Sequence, residues 1–170
     1  ARVLKAGPDF GLIPGTTKPT LLKAGAEKIA DCLNLCPEYE VVSRLEDWDR
    51  PLFAYAYRCR LGTRGPSSVV VATGIGSCNS LEGRYRWREA KRLCPQCGTD
   101  AIIKGKAEYG GGFLCFAKRG GCGAKFADTD AAITDQELGR VENEDIYALV
   151  NTIDKMAQKR SLVAAALNLG

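Results

Sequence analysis

Four cysteines between residues 94 and 122 constrain this chain more than any other feature. Cys94 and Cys97 form a Cys-x-x-Cys pair, and Cys115 and Cys122 follow in a glycine-rich stretch. Thiolates two residues apart on a tight turn bind Zn²⁺, and a second pair completes a tetrahedral shell. The second pair is more widely spaced than usual, and a disulfide pair or buried free thiols are the alternatives. The hydrophilic, glycine-rich surroundings favour one closed, structural Zn²⁺ site at these four residues.

The composition indicates a globular chain with one core. Its 170 residues include 26% charged residues and eight cysteines, and without secretion features these cysteines favour a reducing, cytoplasmic compartment. The longest uncharged apolar stretch is far short of a membrane span. The absence of histidine removes the commonest general base and the Ser-His and Cys-His nucleophile systems.

The net charge of +4 is unevenly distributed along the chain. Residues 84–125 carry ten basic and three acidic side chains, a net charge of +7. Residues 1–83 carry +1 and residues 126–170 carry −4. A compact basic segment on a nearly neutral body predicts contact with a phosphate backbone. A merely solvated surface is the alternative.

The pattern of apolar residues predicts a sheet with one short helix before it. Residues 7–16 are turn-rich and predict an ordered loop or a short hairpin. Residues 24–35 have helical spacing, with Pro37 ending the helix and with Cys32 and Cys36 in a buried core role rather than as metal ligands. Alternation predicts an antiparallel meander of three strands, at residues 39–45, 53–61 and 68–73.

Arginines alternate with other residues in two predicted strands. Arg58 and Arg60 lie on one side of the second strand, facing solvent or a ligand. Residues 84–88 read Arg-Tyr-Arg-Trp-Arg, which predicts an extended segment with its three guanidinium groups on one side. Phosphates would contact these arginines, and bases would stack on Tyr85 or Trp87. Solubilising arginines on a strand with an apolar core side are the alternative.

A long helix is predicted at the end of the chain. Asn143 is its expected N-cap, followed by acidic residues that suit the helix dipole. The fold class is therefore α+β, an antiparallel β-meander packed on a long helix, in a core of residues 1–92 and 128–170. Residues 93–127 form a zinc-ribbon insertion. An apolar stripe would pack the helix on the sheet, at Ile146, Val150, Ile153 and Ala157.

Two segments are similar to one family of recombination proteins. The run from Asp9 to Leu21 (DFGLIPGTTKPTL) with residues 25–28 (GAEK), and the run from Lys155 to Val163 (KMAQKRSLV), resemble phage and bacterial single-strand annealing proteins of the Rad-fifty-two/RecT/Redβ superfamily. The resemblance implies a β-β-β-α core that binds single-stranded DNA in a basic groove and anneals complementary strands without ATP. Because annealing needs no catalytic group, it also implies a binding protein that is not an enzyme. The zinc ribbon is an elaboration that this core does not need.

The resemblance also implies partners, location and contact residues. It predicts a homo-oligomer, as a ring or filament, in the cytoplasm of a bacterial or phage-infected host and associated with the nucleoid. A single-strand-binding protein or an exonuclease is a candidate partner. The motif positions implied to contact DNA are Lys18, Arg58, Arg60, Lys155, Lys159 and Arg160. Local composition alone adds three further contacts: Arg84, Arg86 and Arg88.

Two other function classes stay open. A metal-dependent nuclease would use clustered carboxylates for Mg²⁺, for which Glu46, Asp47 and Asp49 are the candidates, although solvation in a turn is the ordinary explanation for them. A zinc-ribbon module that recruits a nucleic acid or protein is the second class. Residues 162–167 are apolar beyond what one helical stripe requires, which predicts contact with another protomer or with a C-terminal segment missing from this sequence.

Overall fold

The fold is mixed α+β, as predicted, with antiparallel sheets and a C-terminal helix packed on strands. The computed structural model describes residues 4–169, except for the side chain of Tyr109. The helices and strands are, in chain order, β1 Phe10–Gly11, β2 Thr20–Leu21, α1 Lys23–Cys32, β3 Leu35–Asp47, β4 Leu52–Thr63, β5 Val70–Asn79, α2 Gly83–Arg86, β6 Trp87–Ala90, β7 Ile102–Lys104, β8 Phe113–Cys115, β9 Lys125–Phe126, α3 Ala131–Thr134, β10 Gly139–Glu142 and α4 Val150–Leu167.

The chain divides into two compact units. The first is formed by residues 4–85 and 144–169, and the second by residues 86–143. The second unit contains the predicted insertion, residues 93–127, together with β6, α3 and β10. Within residues 4–169, no helix is both long enough and apolar enough to cross a membrane.

The first unit is built on the predicted meander, in the order β3-β4-β5. Alternation in β4 places Phe53, Tyr55, Cys59 and Leu61 in the core, and Arg58 on the other side, because successive side chains of a strand point to opposite faces. Helix α4 packs on this core side, across β4 and β5, while α1 packs on β3 and α4. The opposite side of the sheet is exposed.

Strand β5 is longer than predicted, because two glycines let α4 lie directly on it. The sequence predicts that this strand ends at residue 73, but it continues to Asn79. A Cβ atom on Gly76 would lie 2.1 Å from Ser161 N, and one on Gly74 would lie 2.1 Å from Ala165 N. Glycine weakens a strand in isolation. Here it permits backbone contact with α4, which offsets that cost.

The N-terminal hairpin extends beyond the residues 7–16 in which a loop or short hairpin was predicted, because β1 pairs antiparallel with β2 at Thr20–Leu21. It is tied to α1 by Asp9, whose side chain is buried. The Lys28 Nζ and the Lys5 backbone N–H each donate to Asp9 Oδ2 at 2.7 Å. The hydrogen bond from Lys28, and then that from Lys5, hold the pKa of Asp9 below its usual range. The buried carboxylate is therefore ionised and paired, as burial of a charge requires.

Two predictions about this region are wrong. Pro37 does not end the helix, and Cys32 and Cys36 are not buried in the core. Helix α1 ends at Cys32, and Pro37 lies inside β3. Because β3 is at the edge of its sheet, it tolerates a residue without an N–H group. Both cysteines are exposed: Cys32 is the last residue of α1, and Cys36 lies on β3.

The start and the end of the last helix also differ from the prediction. A 3₁₀ turn at Ile146–Leu149 precedes α4, whose N-cap is Leu149 and not Asn143. The apolar end of α4 is largely used within the chain, because Leu162, Ala165 and Ala166 are buried against α1 and the sheet. The apolar end of α4 therefore does not by itself indicate contact with another protomer.

The Arg-rich run at residues 84–88 is not one extended segment. Residues Gly83–Arg86 form one helical turn, and β6 begins at Trp87. The turn is favoured because it carries Tyr85 into the apolar core of the first unit. The three guanidinium groups therefore do not line one side of a strand, and that prediction is wrong.

The second unit holds two small antiparallel sheets, β6–β10 and β7-β8-β9. Its largest fully buried aliphatic side chain, Ile133, is on α3. The core beneath the β7-β8-β9 sheet consists of Cys94, Ala101 and Cys115, with a few half-buried apolar neighbours. So little buried apolar surface is a weak source of stability for these hairpins.

Candidate functional site

The four predicted metal ligands converge in the second unit. Cys94 and Cys97 lie on the turn that follows β6, Cys115 ends β8, and Cys122 lies just before β9. The Cys94 and Cys122 Sγ atoms are 3.7 Å apart, and those of Cys97 and Cys115 are 3.6 Å apart. All four Sγ atoms lie within 4.8 Å of one another. Pairs that are distant in sequence are therefore brought together as a single cluster.

The geometry of this cluster fits one tetrahedral metal ion. A Zn–S distance of about 2.3 Å places tetrahedral sulfur ligands about 3.8 Å apart, close to the separations observed here. All four cysteines are free thiols, so the disulfide alternative is not what the structure contains. Among the residues that the structure describes, this is the one group of three or more Cys, Asp or Glu side chains placed to hold a metal.

Hydrogen bonding favours the thiolate form, which metals bind, at two of the four cysteines, Cys97 and Cys115. The Thr99 hydroxyl lies 3.2 Å from Cys97 Sγ and 3.5 Å from Cys115 Sγ. Hydrogen bonding to Thr99 lowers the pKa of Cys97 to about 6 and also lowers the pKa of Cys115. The Cys122 N–H donates to Cys115 Sγ at 3.3 Å. Gly98 has a φ of +71°, which allows the tight turn predicted after Cys97.

Arg58 and Arg60 lie on the exposed side of the sheet and are both ion-paired. Their guanidinium groups contact Glu40 Oε2 at 2.9 and 2.7 Å. Because Glu40 lies opposite Arg58 in the β3–β4 register, the sheet itself provides this partner. A phosphate would have to compete with that carboxylate for both arginines.

Arg160 is the most strongly paired of the predicted contact residues. Its guanidinium group makes a two-point contact with the Glu82 carboxylate, with Nη2 donating to Oε2 at 2.8 Å. It also donates to the Ser77 carbonyl oxygen at 2.6 Å. Arg84 adds a contact with Glu82 at 3.4 Å. This arrangement joins α4 to β5 and α2, so Arg160 has a structural role in the first unit.

The Arg160–Glu82 pair predicts acid sensitivity of the first unit. Hydrogen bonding to Arg160 lowers the pKa of Glu82 to about 2, against about 4.3 in an unfolded chain. The stability that this pair adds is thus present above about pH 4.3 and is lost as the pH falls toward 2. We expect Glu82→Gln to lower the free energy of unfolding at pH 7 by about 1–2 kcal/mol, a modest amount because solvent screens the partly exposed pair. Because the variant lacks the carboxylate that titrates, its stability should also decline less steeply in acid. Urea unfolding at several pH values measures this, and an unchanged acid slope would contradict it.

Three lysines surround one pocket on the core side of the sheet. Lys155 and Lys159 lie one turn apart on α4, and Lys23 at the start of α1 faces them. The pocket has a volume of about 260 Å³ and is completed by Tyr39 and Gln158.

The charges of these lysines are unequally compensated. Lys23 contacts Glu27 one turn along α1. Among the described residues, neither Lys155 nor Lys159 has an acidic partner within ion-pair distance. Lys23 and Tyr39 were not among the predicted site residues, because no periodicity links them to residues more than a hundred positions away on α4.

The other predicted contact residues are spread over both units. Lys18 is exposed in the connection between β1 and β2. In the second unit, Arg86 lies 3.2 Å from Glu142 and 4.9 Å from the centroid of the Trp87 ring, and Arg88 is exposed on β6. Arg140 lies 4.8 Å from the centroid of the same ring. Trp87 is thus covered by two cations, and base stacking there is less accessible than the sequence suggests.

The carboxylates of the nuclease alternative serve local structure. Asp47 accepts from the backbone N–H groups of Asp49 and Arg50 at 3.2 and 3.0 Å and so holds the β3–β4 turn. Glu46 accepts from the Tyr55 hydroxyl at 2.6 Å. These two carboxylates are engaged separately, and no shared metal position results. The geometry therefore gives the nuclease alternative no support.

No family model, curated protein or solved structure matches the chain.

Proposed function

We propose that this chain binds single-stranded DNA through its phosphates and anneals complementary strands without ATP, as the resemblance to annealing proteins implies. The lysine pocket of Lys23, Tyr39, Lys155, Gln158 and Lys159 is the observation that carries the proposal. It gathers three cationic groups at one place on the first unit, where the other basic side chains of the site are largely paired with carboxylates.

The chemistry of the lysine pocket suits a phosphodiester group. Lysine ammonium groups bind phosphate as point charges from several directions, and the Gln158 amide and the Tyr39 hydroxyl are further donors. Burial is the main cause that raises the pKa of Tyr39 to about 12, so its hydroxyl keeps its proton at neutral pH. The three ammonium groups, the Gln158 amide N–H groups and the Tyr39 hydroxyl can therefore all donate hydrogen bonds to phosphate oxygens.

Annealing needs affinity for the backbone without recognition of sequence. Phosphate contacts position a strand but carry no sequence information, and three ammonium groups at one place favour contact with the phosphates. Bound bases then remain available for pairing. We propose Arg58, Arg60, Arg84, Arg86, Arg88, Lys18 and Arg160 as weaker contacts, and the basic second unit as an additional track for phosphates.

Two further parts of the proposal concern the metal and assembly. The ion of the four-cysteine cluster is Zn²⁺ with a structural role, since four thiolates leave no open position for water. The resulting zinc ribbon holds β7, β8 and β9 together.

The chain assembles as a ring or filament, because β3 and β5 are the free edges of the described sheet and adjacent protomers multiply weak contacts along one strand. A single-strand-binding protein or an exonuclease is the proposed partner.

Neutralising the lysines tests where DNA binds. We expect Lys155→Gln with Lys159→Gln to lower the affinity for a fluorescent single strand by about tenfold or more, and to reduce the slope of log K against log salt by about 2. Fluorescence anisotropy at several salt concentrations measures both quantities. Circular dichroism checks that the variant is folded.

The matched control is Arg58→Gln with Arg60→Gln, which removes the same charge from the exposed side of the sheet. Because both arginines are paired with Glu40, we expect a smaller loss of affinity. A larger loss in the arginine variant would place the strand on the other side of the sheet. A wild-type chain that holds zinc but binds no single strand would favour the interaction-module alternative.

A further inference from the structure

An exposed pair of stacked aromatic rings lies at one end of the first unit. Trp48 is on the turn between β3 and β4, and Tyr147 is on the 3₁₀ turn that precedes α4. Their ring centroids are 6.0 Å apart and their planes differ by 11°. Both remain open to solvent, since Trp48 is 55% and Tyr147 43% exposed. Ninety-nine positions separate the two residues in sequence.

Contacts with a buried ring, a hydrogen bond within the pair and a fixed turn hold the two rings in place. Phe53 is fully buried and meets both rings edge-on, with its centroid 4.9 Å from that of Trp48 and 6.0 Å from that of Tyr147. The Tyr147 hydroxyl donates to the Trp48 carbonyl oxygen at 3.2 Å. The Asp47 carboxylate fixes the turn that carries Trp48. A large aromatic surface is thus presented to solvent in a fixed orientation.

The pair and the lysine pocket lie on the same side of the sheet. Phe53 belongs to the buried side of β4. Tyr39, which lines the lysine pocket, lies directly opposite Cys59 on that same side. Phe53 and Cys59 are six residues apart on β4, roughly 20 Å at about 3.3 Å per residue. One short strand of nucleic acid can therefore reach both places.

We propose that Trp48 and Tyr147 form a stacking platform for one nucleobase of the single strand whose phosphates occupy the lysine pocket. This proposal rests on the proposed function. Every base has an aromatic face, so stacking on Trp48 adds affinity without demanding a sequence. Because the pair is already ordered by Phe53 and Asp47, little conformational freedom is lost when a base binds. Trp48 thus takes the stacking role that sequence analysis gave to Tyr85 and Trp87.

Tryptophan fluorescence tests the platform directly. The chain has two tryptophans, so Trp87→Phe leaves Trp48 as the sole indole fluorophore. We expect a thymine oligonucleotide to quench this fluorescence strongly, and an abasic strand of the same length to quench it little. In an otherwise wild-type chain, Trp48→Ala should weaken binding of the thymine strand about tenfold and leave binding of the abasic strand unchanged. Trp48→Phe should restore most of the affinity.

The outcomes separate this proposal from the proposed function. Equal affinity for the thymine and abasic strands, with no quenching of Trp48, would overturn the platform and leave phosphate binding intact. If neither strand binds the wild-type chain, the proposed function fails, and the platform fails with it. Should Trp48→Ala not fold, the quenching comparison in the Trp87→Phe variant still decides the result.

Discussion

Gly76→Ala is expected to destabilise the first unit by about 3 kcal/mol, a large effect for one added methyl group. The new Cβ would lie 2.1 Å from Ser161 N, 2.5 Å from Arg160 C and 2.6 Å from Ala157 O. All three are backbone atoms of α4, so no side chain can rotate away to relieve the overlap. The helix would have to move off the sheet, and the core between them would open. Urea unfolding followed by circular dichroism measures the loss.

Ser77→Ala is the matched control, because it places the same methyl-sized side chain one residue along β5 and on the exposed side of the sheet. We expect it to change the free energy of unfolding by no more than about 0.5 kcal/mol. Equal stability of the two variants would show that α4 does not rest on the glycines of β5.

Cys115→Ser is expected to abolish stoichiometric zinc binding and to unfold the hairpins of residues 93–127. Cys115 is fully buried at the centre of the small apolar core beneath β7, β8 and β9, and serine is a poor zinc ligand. Zinc binding supplies folding free energy on the order of 10 kcal/mol in small structural sites, more than this core can replace. Metal analysis should fall from about one zinc per chain to near none, and limited proteolysis should cut first within the second unit.

The control for the metal site is Cys36→Ser, since Cys36 is an exposed cysteine on β3. It should keep the metal and the protease resistance of the wild-type chain. Full zinc content in the Cys115→Ser variant, or none in freshly prepared wild-type protein, would contradict the assignment of the cluster.

The parts of the fold that depend on local patterns were predictable. Clean alternation from Phe53 to Leu61 identified the central strand and its buried side, because a period of two has one structural meaning. The Cys-x-x-Cys pair identified the cluster, because few other arrangements use four cysteines in so short a hydrophilic segment. These features are properties of neighbouring residues.

The parts that depend on distant contacts were not predictable. From the sequence alone, Gly74 and Gly76 indicate a turn. Their place inside a strand is explained only by the close contact of α4, which is distant in sequence. Alternating arginines at residues 84–88 suggest a strand, but burial of Tyr85 stabilises a helical turn. Lys23 becomes part of the lysine pocket only when α1 and α4 pack on the same sheet, and nothing near it in sequence indicates α4.

The most direct test of the central proposal is an annealing assay without nucleotide. Two complementary single strands, one with a fluorophore and one with a quencher, are mixed with the full chain, and the rate of pairing is followed by fluorescence. The account predicts faster pairing than in buffer alone, with this acceleration lost in the Lys155→Gln, Lys159→Gln variant and largely kept in the Arg58→Gln, Arg60→Gln variant. Pairing that is no faster with bound protein than without it would contradict the account.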